Sequence, residues 1–200
     1  MIVTDRDRSI INYIETVKFA TTKNLAELFF NNGSKNYYIV ALKRLKKLVS
    51  YGKIHCISAN TSSIGRPMTL YYIDSKIHKK NYNHALALAN FSAELKKNEV
   101  DIISVEPEVY FSKKIRVDAV YKVVYNGKKR LFLAEFDITK KFNTTKYEYF
   151  NKTGEWKDYF KKFPRIVSIS EKEPSKSRDV NILHVLPDYS NINILLENIK

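Results

Sequence analysis

One cysteine, Cys56, stands in 200 residues, so an intrachain disulfide and a cysteine-built zinc site are both excluded. Histidine is equally sparse. His55, His78, His84 and His184 form no HxxxH or HxH cluster, and each reads as a structural or surface residue. Long apolar runs are missing too: none approaches the ~20 residues needed to cross a bilayer, and no membrane association is expected. The opening "MIVTDRDRSI" lacks the basic-then-apolar order of a secretory signal, so a soluble cytoplasmic protein is expected. Internal repeats and low-complexity tracts are absent as well.

Acidic residues are also scarce relative to basic ones. The chain carries 35 Lys and Arg against 21 Asp and Glu, a net charge of +14. Residues 1–80 hold 14 basic and 5 acidic side chains, whereas 81–200 hold 21 and 16, so the smaller N-terminal part has most of the excess. A basic domain points to a polyanion, with nucleic acid as the default. A Lys-rich genome bias would give the same excess, and this Asn-, Ile- and Lys-heavy composition is compatible with it. A hydrophobic share of 44% is ample for a packed core and argues against disorder.

The N-terminal third is patterned as three helices and a hairpin. Behind a Thr-Asp start, Ile10, Ile11, Ile14 and Val17 recur at helical spacing. "TTKNLAELFF" predicts a short second helix capped by Thr21 or Thr22. After the turn "NNGS", a third helix is expected over about 35–50, with Ile39, Leu42, Leu45, Leu48 and Val49 inward and Gly52 ending it. "KIHCIS" and "MTLYYI" then read as strands. This order makes a winged helix-turn-helix over residues 1–75, with the third helix as the element for the major groove of double-stranded DNA. Asn36, Val40, Lys43, Arg44 and Lys47 form its outward stripe, and Arg66 lies in the wing. Asn suits adenine, while Lys and Arg suit guanine or phosphate. The bland alternative for the cationic run is a solvated helix face.

Residues 76–83 read as a polar linker, and a helix over about 84–97 opens the second domain, 84–200. Three β-like stretches follow, then a Lys- and aromatic-rich helical region over about 144–163, two more strands and a closing helix. The fold class is α+β. Trp156, Tyr159, Phe160 and Phe163 read as core against the sheet.

The segment "RVDAVYKVVYNGKKRLFLAEFDIT" carries the chemistry. Asn126-Gly127 signals a two-residue type I′ hairpin turn, because both central residues need positive φ. Tyr125 then pairs with Lys128, which places Asp118 directly across from Glu135 and Arg116 across from Asp137. Two like charges in opposed positions repel unless a cation stands between them, and oxygen ligands suit a divalent one. Asp137 is explained equally by a cross-strand ion pair with Arg116.

An acid on the second strand and an acidic pair on the third resemble the PD-(D/E)XK nuclease superfamily, with its restriction-endonuclease-like αβββαβ domain. The resemblance implies that Asp118 and Glu135 bind Mg²⁺ or Mn²⁺, with Asp137 as a further ligand and the Phe136 carbonyl as another. The lysine expected two residues after the Glu is replaced by Asp137. Lys146 is the leading substitute, with Lys140 and Lys141 behind it. Taken with "LKRLKKLVSYGKI" and "GRPMTLYYI", the chain is similar over about 5–163 to the replication-relaxation family, which overlaps the C class of mobilisation relaxases. That family's E-x-D pattern is present as Glu135-Phe136-Asp137. The implied function is metal-dependent nicking of origin DNA by a protein of a plasmid or conjugative element.

The rival is a non-catalytic accessory factor or repressor with a degenerate nuclease-like domain, binding a symmetric operator as a homodimer. Tyr147 and Tyr149 invite comparison with tyrosine relaxases, but with 14 tyrosines in the chain packing is the better explanation. Glu94 is a further candidate acid, more simply read as solvated.

Overall fold

A computed structural model describes residues 2–59, 68–74, 81–138 and 142–200. Arg66, Lys140 and Lys141 lie outside the described residues, as does most of the expected linker. The fold is mixed α and β, with two sheets, and the chain divides into two compact units, Met1–Glu99 and Val100–Lys200. No helix among the described residues is long and apolar enough to cross a membrane.

In the first unit, α1 (Asp5–Val17) begins at a capping box: Thr4 accepts from the Asp7 N–H, and Asp7 accepts from the Thr4 N–H at 2.7 Å. Its buried face is Ile10, Tyr13, Ile14 and Val17. A two-residue strand β1 (Ala20–Thr21) leads into α2 (Thr22–Phe29), whose cap is Thr21, reciprocated by Asn24. Then come α3 (Tyr37–Ser50), β2 (His55–Ala59) and β3 (Met68–Tyr72). The expected hairpin is joined by β1, giving an antiparallel sheet of order β1-β3-β2. A strand of two residues has no periodicity to read, which is why the sequence hid it.

The helix α4 (Tyr82–Lys97) departs from the expected boundary. It packs with α1, α2 and β1 and is counted within the first unit. Asn24 Nδ2 donates to Asn90 Oδ1 at 3.1 Å, and Lys97 Nζ lies 2.6 Å from the Glu27 carboxylate. Helical periodicity says that a helix needs an apolar partner but not which one. Glu94 hydrogen-bonds Asn98 and faces Lys97, as a structural residue does.

The second unit is a five-stranded sheet of order β4-β5-β6-β7-β8. Its strands are β4 (Asp101–Tyr110), β5 (Arg116–Tyr125), β6 (Lys128–Glu135), β7 (Arg165–Ile169) and β8 (Ile182–Val185). The first three run antiparallel; β6, β7 and β8 run parallel. A parallel neighbour needs a crossover, and α5 (Thr145–Thr153) with a following 3-10 turn supplies it between β6 and β7. The closing helix is α6 (Asn193–Ile199). One sheet face presents Val120, Leu133 and Ile166 to a core completed by Phe111, Phe142, Tyr147 and Phe150. Trp156, Phe160 and Phe163 pack against it partly buried, while Tyr159 is about half exposed.

Candidate functional site

The β5–β6 hairpin has the register that its turn dictates. Asn126 (φ 48°) and Gly127 (φ 73°) both take positive φ, and Tyr125 pairs with Lys128, Val120 with Leu133 and Ala119 with Ala134. The paired ladder ends at Ala119 and Ala134; Asp118 and Glu135 are the next residues on the two strands, near enough for the Asp118 charge to act on Glu135. They continue the face of Val120 and Leu133, so the two carboxylates stand at the rim of the apolar core. Both are buried, at 8% and 3% exposure. Asp118 Oδ2 accepts the N–H of Phe136 at 2.9 Å, tying the end of β6 to β5, and the Arg116 guanidinium approaches Oδ1 at 3.5 Å. Arg116 and Asp118 are two apart on one strand, so they share a face.

The crossover completes the site. Lys146 and Tyr147 lie in the first turn of α5, which follows β6 closely in sequence. Lys146 Nζ donates to Glu135 Oε1 at 2.7 Å and to the Arg116 carbonyl at 2.9 Å. Tyr147, wholly buried and stacked on Phe142, donates its hydroxyl to the same Glu135 Oε1. Across the parallel pair, Glu135 is in register with Ser168, and Ser168 with His184. Ser168 and Ser170 share a hydrogen bond of 3.0 Å, and His184 Nε2 meets the Ser170 carbonyl at 2.7 Å. A polar row therefore crosses four strands at one level: Asp118, Glu135, Ser168 and His184.

Burial pushes the Glu135 carboxyl up to about 7. The Lys146 ammonium opposes that rise, and the Asp118 carboxylate adds to it. Tyr147 is pushed well above the usual phenol range, chiefly by burial and then by the Glu135 charge. Both hydrogen bonds to Glu135 fall on Oε1, so Oε2 is the oxygen left to a cation. Carboxylate oxygens are donors that suit a hard divalent ion such as Mg²⁺ or Mn²⁺, while Lys146 and Arg116 already supply positive charge to the pair. Asp137 is partly buried just past the end of β6. Among the described residues no three acidic, His or Cys side chains converge as a ready metal cage.

Of the sequence-predicted residues, the hairpin and crossover bring together Asp118, Glu135 and Lys146. Tyr147, expected from the sequence to serve packing, is indeed packed in the core, and it also donates to Glu135, a contact that the sequence reading did not assign.

Asn36, just before α3, and Lys43 and Lys47 on it are exposed, which a binding face and a solvated helix face both require. Arg44 is not part of that face. Its Nε donates to Asp7 Oδ1 at 2.8 Å, a second nitrogen meets Asp7 Oδ2, and it also donates to the Ile2 carbonyl. The Arg44 hydrogen bond holds the Asp7 carboxyl well below the usual carboxylate range, against the opposing effect of burial. The reason is positional: Arg44 is only partly exposed beside the buried Leu45 and Leu48 face, opposite the start of α1. Ile39, expected inward, is 52% exposed; Ala41 takes the buried position instead.

Compared with family models, curated proteins and solved structures, the chain finds no match in any of the three.

Proposed function

We propose that the chain is a sequence-specific DNA-binding protein that nicks one strand in a metal-dependent reaction, as a replication or transfer protein of a mobile element would. The carrying observation is the buried Asp118–Glu135 pair with Lys146 at 2.7 Å from Glu135. In this reading the first unit is a winged helix whose α3 enters the major groove, and the second is a nuclease-like domain.

Asp118 and Glu135 would hold Mg²⁺ or Mn²⁺, with Asp137 nearby in sequence to supplement them. When bound, the ion stabilises charge developing on the scissile phosphate and acidifies water. The chain's own residues do the rest. Arg116 and the Phe136 N–H fix the Asp118 carboxylate. Tyr147 fixes Glu135 Oε1, and a bound ion would hold that carboxyl in its charged form. Lys146 carries the positive charge that a phosphate would meet beside the carboxylates.

The test is relaxation of a supercoiled plasmid bearing the element's origin, with Mg²⁺, with Mn²⁺ and with chelator, beside Glu135→Ala. Metal-dependent open circles lost in the variant support the nuclease. A plasmid that stays supercoiled, while the origin fragment is still retarded on a gel, sinks it.

A second reading is a non-catalytic accessory factor or repressor, acting as a homodimer. One observation favours it: Lys146, Tyr147, Arg116 and the Phe136 N–H already satisfy the two carboxylates without a metal.

A further inference from the structure

The outward face of α3 is divided along its length. Its N-terminal half exposes Ile39 at 52% and Val40 at 50%, next to the exposed Asn36. Its C-terminal half exposes Lys43, Lys46 and Lys47, while Ala41, Leu45 and Leu48 are buried on the opposite side. Helical spacing of three and four aligns Asn36, Ile39, Val40, Lys43 and Lys47 in one stripe. Ile39 and Val40, each about half exposed, give that stripe an apolar section that a partner's apolar group can cover. Lysines are depleted from the centres of protein–protein interfaces, so three of them in continuation disfavour a protein partner and favour phosphates.

A major groove offers one apolar group on its base edges, the C5 methyl of thymine. The N-terminal residues of a helix in that groove reach the bases. Resting on the DNA-binding reading above, we infer that Ile39 and Val40 contact thymine methyls, so that the recognised half-site contains A·T pairs at those positions. Asn36 suits the adenine N6/N7 edge of a neighbouring pair. The lysines grip the backbone and carry no base preference.

The experiment uses the full chain. Duplexes bound from a random-sequence library are recovered, and the preferred duplex is remade with deoxyuridine, which lacks the C5 methyl, at each thymine in turn. At one or two positions deoxyuridine should weaken binding about fourfold, the change expected for one buried methyl-sized group. Ile39→Ala or Val40→Ala should erase that discrimination with an unchanged melting curve, whereas Lys43→Ala should weaken both duplexes alike. Equal binding of thymine and deoxyuridine at every position overturns the inference and leaves DNA binding standing. Recovery of no preferred duplex overturns the DNA reading itself. A dimer in sedimentation that Ile39→Asp converts to monomer assigns the face to self-association and overturns the inference as well.

Discussion

The Lys146 ammonium stands 2.7 Å from Glu135 Oε1, although the two residues come from a helix and a strand eleven residues apart. It is the cation that compensates a carboxylate only 3% exposed. Lys146→Met should therefore destabilise the fold at pH 8 by about 1–3 kcal/mol, the cost of a buried charged group losing its partner. At pH 6 the loss should shrink, because Glu135 can take up a proton instead. Urea titrations at the two pH values, with Glu135→Gln as the second arm of a double-mutant cycle, measure the difference.

The raised Glu135 affinity has a definite sign in stability. A carboxyl at about 7 in the folded chain, against an ordinary 4.5, binds more protons folded than unfolded between those values. Its contribution is fully present below about 4.5 and is lost as pH rises through 7. Glu135→Gln should remove that slope. Mg²⁺ bound at the carboxylates should flatten it too, by favouring the charged form, and melting temperatures across pH 4.5–8 with and without Mg²⁺ report it. A slope unaffected by Mg²⁺ counts against the metal centre.

Tyr147→Phe keeps the ring stacked on Phe142 and removes one donor from Glu135. Because that hydrogen bond favours the carboxylate, the Glu135 titration should move above 7 in the variant. Carboxyl carbon NMR reads the shift, and an unmoved titration would deny Tyr147 its positioning role.

Arg44 and its neighbours on α3 should separate cleanly. Arg44→Ala strands the buried Asp7 and should cost about 2 kcal/mol of stability. Lys43→Ala and Lys47→Ala should leave melting unchanged and, under the proposed DNA-binding function, each lower the salt dependence of binding by about one unit of slope. Thermal melts and binding isotherms at several salt concentrations distinguish the two classes.

Gly127 adopts φ 73° with no neighbour near the position of an added Cβ. Gly127→Ala should thus cost about 1 kcal/mol from backbone conformation alone, without a steric penalty. A much larger loss in a urea titration would mean that the hairpin register, and the Asp118–Glu135 pairing with it, had slipped.

By itself the sequence determined what depends on near neighbours. Positive φ at Asn126-Gly127 fixed the hairpin register as far as Ala119 against Ala134, and the period of two put Asp118 and Glu135 on one face just beyond it. Periodicity located the helices, and the strand order along the chain followed from apolar runs between turns. Tertiary structure alone decided which distant partner each side chain meets. Arg44 looks outward by spacing, yet Asp7, 37 residues away, claims it. Ile39 carries an apolar side chain but lies on the solvent side of α3, because Ala41, Leu45 and Leu48 set the helix rotation. Tyr147 finds Glu135 only because β6 and β7 run parallel and α5 must cross back over the sheet. Local signals fix backbone geometry over a few residues; a buried charge or hydroxyl is committed only when separate elements close around it and water is removed.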